Sequence, residues 1–242
     1  MPDDEVRVTR RCGAATPHGP CRRPVAVAGP CWQHPVPTRG ERQVWARDLA
    51  TQARAAATTP RRTELLPPPL TDRQVESIVE TLNRHEVEYV VIGGVACQLH
   101  GAPMERSRDA DIVVRRSDQN LDHLSHALIE LDARLRVQGG PVDGVAVQID
   151  PRLFDRMQTI TFVTRDGPVD VCFRPDGTGG YDDLVTGSAG VGLGAQIVPV
   201  ASLEDVIRSK AAAGREKDIR VLPTLRRYLR GHSRRADHER PD

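Results

Sequence analysis

Tyr89-Val90-Val91-Ile92-Gly93-Gly94, followed by Arg106-Ser107-Arg108-Asp109-Ala110-Asp111-Ile112-Val113-Val114, is the stretch on which the fold turns. Four apolar residues stopped by a glycine pair read as a buried strand. A short helix over Val95–His100 comes next, and Ile112 to Val114 form a second strand. Asp109 and Asp111 are two apart, so on an extended segment their carboxylates share a face. Two like charges side by side are costly unless a cation compensates them, and carboxylate oxygens suit hard divalent ions such as Mg²⁺.

A third acid has a matching setting. Asp170 sits within Val169-Asp170-Val171-Cys172-Phe173, where the apolar residues take the opposite face. An acid in mid-strand must be paired, metal-bound or on an open face. Two strands delivering Asp109, Asp111 and Asp170 to one edge would make a two-metal site for phosphoryl transfer. Gly93-Gly94 between strand and helix lets backbone N–H groups approach a phosphate. It is neither a Walker loop, since no Gly-Lys-Ser/Thr follows, nor a dinucleotide fingerprint, since the third glycine is missing. An isolated Asp-x-Asp is usually a solvated turn, and a glycine pair usually only a turn. The specificity lies in their order along the chain.

Outward from this centre the pattern is that of one globular domain over residues 71–230. Thr71 and Gln74 make a capping box ahead of Val75, Ile78, Val79 and Leu82, which repeat at helical spacing. Ser117 caps a helix carrying Leu121, Leu124, Leu128 and Leu131. Strands are expected at Thr159–Thr164, Pro168–Phe173 and Gln196–Val200, with Asp166-Gly167 as the turn of a hairpin. Ser202 with Asp205 opens a helix. Ile219, Leu222, Leu225 and Leu229 line another that Pro223 should kink or divide. Residues 231–242 read as a disordered tail. Residues 37–70, rich in Ala, Arg, Thr and Pro, read as a linker with a helix over Glu41–Ala57. The fold class is α+β: a mixed sheet flanked by helices, closed by C-terminal helices.

Composition narrows the function classes. The 242 residues carry 34 basic and 33 acidic side chains, a net charge of +1, so no overall basic character announces nucleic-acid binding. Aromatics make up 3%, so the core must be largely aliphatic. Neither a membrane span nor a signal peptide is evident, and a cytoplasmic, non-membrane protein is expected. Lys210 and Lys217 are the sole lysines in an arginine-rich chain. A retained lysine suggests a compact charge where a guanidinium fork would not fit. Lys210 could hold a triphosphate in that way, while Lys217 and Asp218 would tie two helices together.

On Val91-Ile92-Gly93-Gly94 and Ser107-Arg108-Asp109-Ala110-Asp111 the sequence resembles the nucleotidyltransferase superfamily with the polymerase-β-type fold. Within it, the pattern is closest to AbiEii/AbiGii-type proteins, some of which are toxins of toxin–antitoxin pairs; Ser107 stands where those carry Ser or Thr. Fourteen residues separate Gly94 from Asp109, slightly more than the commonest spacing, and Ala110 replaces a larger aliphatic. Neither departure moves a carboxylate off the shared face. The resemblance implies transfer of a nucleoside monophosphate from an NTP such as ATP to an acceptor hydroxyl. Asp109, Asp111 and Asp170 would hold two Mg²⁺ ions, and Gly93, Gly94, Ser107 and Lys210 would bind the nucleotide. It also implies tRNA or another RNA as a candidate acceptor and an antitoxin as a candidate partner. Two alternatives stand beside it: a catalytically inactive nucleic-acid-binding or antitoxin-like module, and a small-molecule nucleotidyltransferase of the aminoglycoside type.

Residues 1–36 read as a separate module. Cys12, Cys21, Cys31 and His34 are four good zinc ligands, and Cys31-Trp32-Gln33-His34 supplies a close pair. Four protein ligands would close the site, giving structural Zn²⁺. The plain alternative is free thiols in a disordered tail.

Overall fold

The computed structural model describes residues 9–11, 24–26, 67–138 and 140–238, with side chains of the last helix described to 231. The chain divides into two compact units, Met1–Pro60 and Arg61–Asp242. In the first, β1 (Thr9–Arg11) and β2 (Pro24–Ala26) pair antiparallel. Cys12, Cys21, Cys31 and His34 lie outside the described residues, as does the helix expected over 41–57.

The second unit is α+β, as the sequence predicts. Its elements run α1 (Asp72–Arg84), β3 (Tyr89–Ile92), α2 (Gly93–Leu99), β4 (Ala110–Val114), α3 (Asp118–Glu130) and β5 (Arg134–Leu135). After a 3-10 turn at Pro151–Phe154 come β6 (Thr159–Thr164), β7 (Gly167–Cys172), α4 (Tyr181–Gly187), β8 (Ala189–Leu193) and β9 (Gln196–Val200). Helices α5 (Leu203–Ala213) and α6 (Glu216–His238) close the unit. Among the described residues seven strands form one mixed sheet in the order β5-β6-β7-β4-β3-β9-β8. The parallel pairs are β4 with β7 and β3 with β9. No helix among the described residues is long and apolar enough to cross a membrane.

Local signals account for most of these boundaries. The Thr71 side chain accepts from the Gln74 N–H, and the Gln74 side chain accepts from the Thr71 N–H. Because this reciprocal cap satisfies two otherwise unpaired donors, Thr71→Ala is expected to cost about 1 kcal/mol, measurable by chemical denaturation. The expected hairpin forms, but its two-residue turn is Arg165-Asp166 rather than Asp166-Gly167, and Gly167 pairs with Thr164 inside the strand. The core is largely aliphatic, with Tyr89 buried in it and Phe154 meeting Phe162 and Phe173 edge to face at ring separations of 6.5 and 6.0 Å. The chain's three phenylalanines are all buried there.

Several boundaries differ from expectation. Leu70, placed in the linker, is buried and donates its N–H to Ser107 O at 2.7 Å, so packing begins before Thr71. Helix α2 starts at Gly93 rather than Val95, directly after the strand. Pro223 does not divide α6 into two helices or end it. The proline faces solvent, where water can take the carbonyl that loses its N–H partner. Ile219 is 56% exposed, because at 100° per residue it falls about a quarter turn away from Leu222, Leu225 and Leu229. The helix continues to His238, through residues expected to be a tail; arginine and alanine there are good helix formers.

Candidate active site

The sheet register assembles the acids. Ile92 pairs with Asp111, Asp111 with Asp170, and Asp170 with Thr161. These four residues form one row across β3, β4, β7 and β6, and side chains in a row share a face. Ile112, Val171 and Ile160, in the adjacent row, are buried on the other face. Asp109 stands one residue before β4 rather than within it. The Ser107 hydroxyl donates to its Oδ1 at 2.9 Å, and the Gln98 Oε1 holds the Ser107 N–H at 2.9 Å. Helix α2 thus fixes the loop that carries Asp109. Ser107, expected from the resemblance to bind the nucleotide, supports Asp109 in this structure.

The glycine pair is required by the acids as well. Gly93 has φ +72, and a Cβ there would stand 2.0 Å from Asp111 Oδ2. At Gly94 a Cβ would meet Ser107 Oγ at 2.5 Å. Gly93 lines the cavity over the acids, while Gly94 is turned toward Ser107.

Electrostatics mark the row as unfinished. Burial, and then the charges of Asp109 and Asp170, push the Asp111 carboxyl up to about 7, with Lys210 and Lys217 acting against them. Asp170 is raised too, by burial first, with Thr161 opposing. Its Oδ1 is buried and has no hydrogen-bond partner. An orphaned carboxylate oxygen beside two other acids fits a divalent cation. Among the described residues no three ligating side chains already form a metal cage. Mg²⁺ commonly takes one or two carboxylates and completes its shell with water and substrate phosphates.

A cavity of about 1170 Å³ opens over the row, larger than the roughly 300–1000 Å³ of common small-molecule sites. Asp109, Asp111 and Asp170 form one wall; α5, the start of α6 and the 174–179 loop form the others. Lys210 lies in the cavity wall, but its ammonium is held by Asp218 Oδ1 at 3.0 Å. Arg215 Nε comes within 2.9 Å of Oδ2 of the same carboxylate. The tie between the two helices is therefore Lys210–Asp218, not Lys217 with Asp218. Gly214, left-handed at φ 61, turns the chain so that α6 returns beside α5. Lys217 is exposed and lines the cavity without a hydrogen bond or ion pair among the described residues. The buried Asp218 and Thr161 beside Asp170 were not singled out as site residues from the sequence. The alternation of β6 signalled Thr161, but its partner strand could not be read without register.

No protein-family model matches the chain, and no curated protein matches it in sequence. Solved structures resemble it in backbone course. A lincosamide antibiotic adenylyltransferase with lincomycin bound is 16% identical, spans 66% of this chain and 98% of its own, and has a TM-score of 0.46. The ANT(2'')-Ia resistance factor with adenylyl-2''-tobramycin is 14% identical over 65% and 88%, at a TM-score of 0.43. An antigenic nucleotidyltransferase-like protein from Paracoccidioides brasiliensis is 18% identical over 65% and 78%, at 0.41. Such scores leave the chemistry of this chain to its own residues.

Proposed function

We propose that the chain is a metal-dependent nucleotidyltransferase that moves a nucleoside monophosphate from an NTP to an acceptor hydroxyl. The observation that carries this reading is the in-register pair Asp111–Asp170, with an unpartnered Asp170 Oδ1, facing a cavity with room for a nucleotide and more. Asp109, Asp111 and Asp170 would hold two Mg²⁺ ions, which when bound neutralise triphosphate charge and favour ionisation of the acceptor hydroxyl. Asp170 would also help take the hydroxyl proton. The hydroxyl oxygen then bonds to the α-phosphorus, the bond to the β-phosphate oxygen breaks, and pyrophosphate leaves. Gly93 would keep the backbone low beneath the phosphates, and Gly94 leaves room for Ser107 beside it. Lys210, oriented by Asp218, supplies a fixed positive charge on the opposite wall, and Ser107 keeps Asp109 aimed. Positioning and charge neutralisation would carry most of the rate enhancement.

The test is transfer of label from an α-³²P nucleotide to RNA, including tRNA, to protein or to a small-molecule acceptor in Mg²⁺. Asp109→Ala with Asp111→Ala is expected to reduce it by at least about 10³-fold. Undiminished labelling by that variant would overturn the assignment.

A further inference from the structure

The row of catalytic acids does not end at Thr161. Arg136 donates its N–H to Thr161 O at 2.9 Å, and β5 pairs Arg134 with Val163 and Leu135 with Phe162. Phe162 is buried and Leu135 packs on the core, so Arg134 and Arg136 belong to the other face, the one carrying Thr161 and Asp170. Arg136 is thus the next residue of the row Asp111–Asp170–Thr161, two strands and about 10 Å from Asp170 at the backbone. Its positive charge acts on Asp170 from there. Both arginines are exposed, and among the described residues neither guanidinium makes a hydrogen bond or ion pair.

The face between is open. Thr159 is exposed, and Thr161, Val163 and Cys172 are half-buried, whereas the opposite face of the same strands is core. The deep cavity ends along Thr159, Asp170 and Cys172, so this face continues outward from the reacting centre. Among the described residues, the charged residues that register puts on this face of β5, β6 and β7, beyond the acids proposed to hold metal, are Arg134 and Arg136. Arg134 and Arg136, two apart on a strand, lie about 7 Å from one another at the backbone. That spacing matches neighbouring phosphates of an extended strand better than the single phosphate of a mononucleotide. A polycationic acceptor would meet only repulsion here once the acids were neutralised by metal.

We infer that this open face of β5, β6 and β7 receives the end of a single-stranded nucleic acid as acceptor, with Arg134 and Arg136 on successive phosphates and the terminal hydroxyl over Asp170. The inference rests on the nucleotidyltransferase reading and names its substrate class. None of Thr159, Thr161, Val163 and Cys172 is aromatic, so binding would be backbone-driven, salt-dependent and weakly selective for bases.

The experiment is a fluorescence titration of the full chain with a short single-stranded RNA, in Mg²⁺ and a saturating non-hydrolysable NTP analogue. Arg134→Ala with Arg136→Ala should weaken RNA binding roughly tenfold and lower the slope of log affinity against log salt by about 1.4, the value for two phosphate contacts on a single strand. Arg134→Lys with Arg136→Lys should restore most of that slope. The NTP analogue should bind every variant alike, which reports an intact fold. Absent RNA binding, an unchanged slope in the alanine variant, or tighter binding of a free nucleoside monophosphate or an aminoglycoside would each overturn the inference. Failure of the underlying reading is separate: it shows as label transfer that survives Asp109→Ala with Asp111→Ala.

Discussion

Asp111→Asn should abolish nucleotidyl transfer and, in the metal-free protein, raise the melting temperature by several degrees at about pH 8. The two effects run in opposite directions because Asp111 is held where its charge is unwelcome without a cation. Burial, then Asp109 and Asp170, lift its carboxyl from 3.8 to about 7 in the folded state. A raised folded value means that the native state keeps a proton that the unfolded chain has released. Stability from this group therefore falls as pH rises from 3.8 toward 7, and the full cost is present above 7. At about 1.4 kcal/mol per pH unit the cost is at most about 4 kcal/mol, and partial exposure reduces it to about half. For a chain of this size about 2 kcal/mol corresponds to roughly 4–8 °C. Asparagine keeps the shape and carries no charge, so its advantage should be greatest above about pH 7 and vanish toward pH 4. Mg²⁺ should raise the melting temperature of the wild-type protein at about pH 8 and leave the asparagine variant nearly unmoved. Thermal unfolding in chelator and in Mg²⁺ across that range checks all of this. An asparagine variant less stable than wild type in chelator at about pH 8 would show that the like charges do not strain the site.

The parts of the site legible in the sequence are those coded by local spacing. Ile92-Gly93-Gly94 closes a strand, Asp109 and Asp111 share a parity, and Asp170 breaks an apolar run; each can be read within half a dozen residues. Thr71 with Gln74, Ser117 and Ser202 mark helix starts for the same reason, since a cap bonds to a neighbour three residues on. What the sequence could not supply was register. Asp111 stands beside Asp170 because β4 and β7 are parallel neighbours, although residues 115–166 lie between them. Arg136 enters the same row only through β5 and β6, and two residues of strand give no periodicity to read. Ionic partners were equally hidden. Lys210 and Asp218 meet because Gly214 reverses the chain between two helices, and two lysines of similar surroundings give no basis for choosing between them. The proline in α6 misled for a different reason: its cost depends on whether water reaches the freed carbonyl, which is a property of the fold.

Gly93→Ala is expected to reduce transfer by at least about 10²-fold and to destabilise the chain by about 3 kcal/mol. Two independent costs fall on the same methyl group. A φ of +72 is open to glycine but costs an L-residue about 1–2 kcal/mol. The added Cβ would also stand 2.0 Å from Asp111 Oδ2 and 2.7 Å from its Cγ, so the carboxyl must turn away. It has little room to do so, because Ile92 and Asp170 flank it in the row. A shift of about 1 Å in a group that positions reacting atoms is enough for a loss of that order. The two costs separate in a double-mutant cycle. Combining Gly93→Ala with Asp111→Ala removes the clash but not the backbone strain, so stability should recover by about half while transfer stays lost. Additive stability losses in the double variant would place the whole cost in the backbone, and would mean that Gly93 does not shape the carboxylate row.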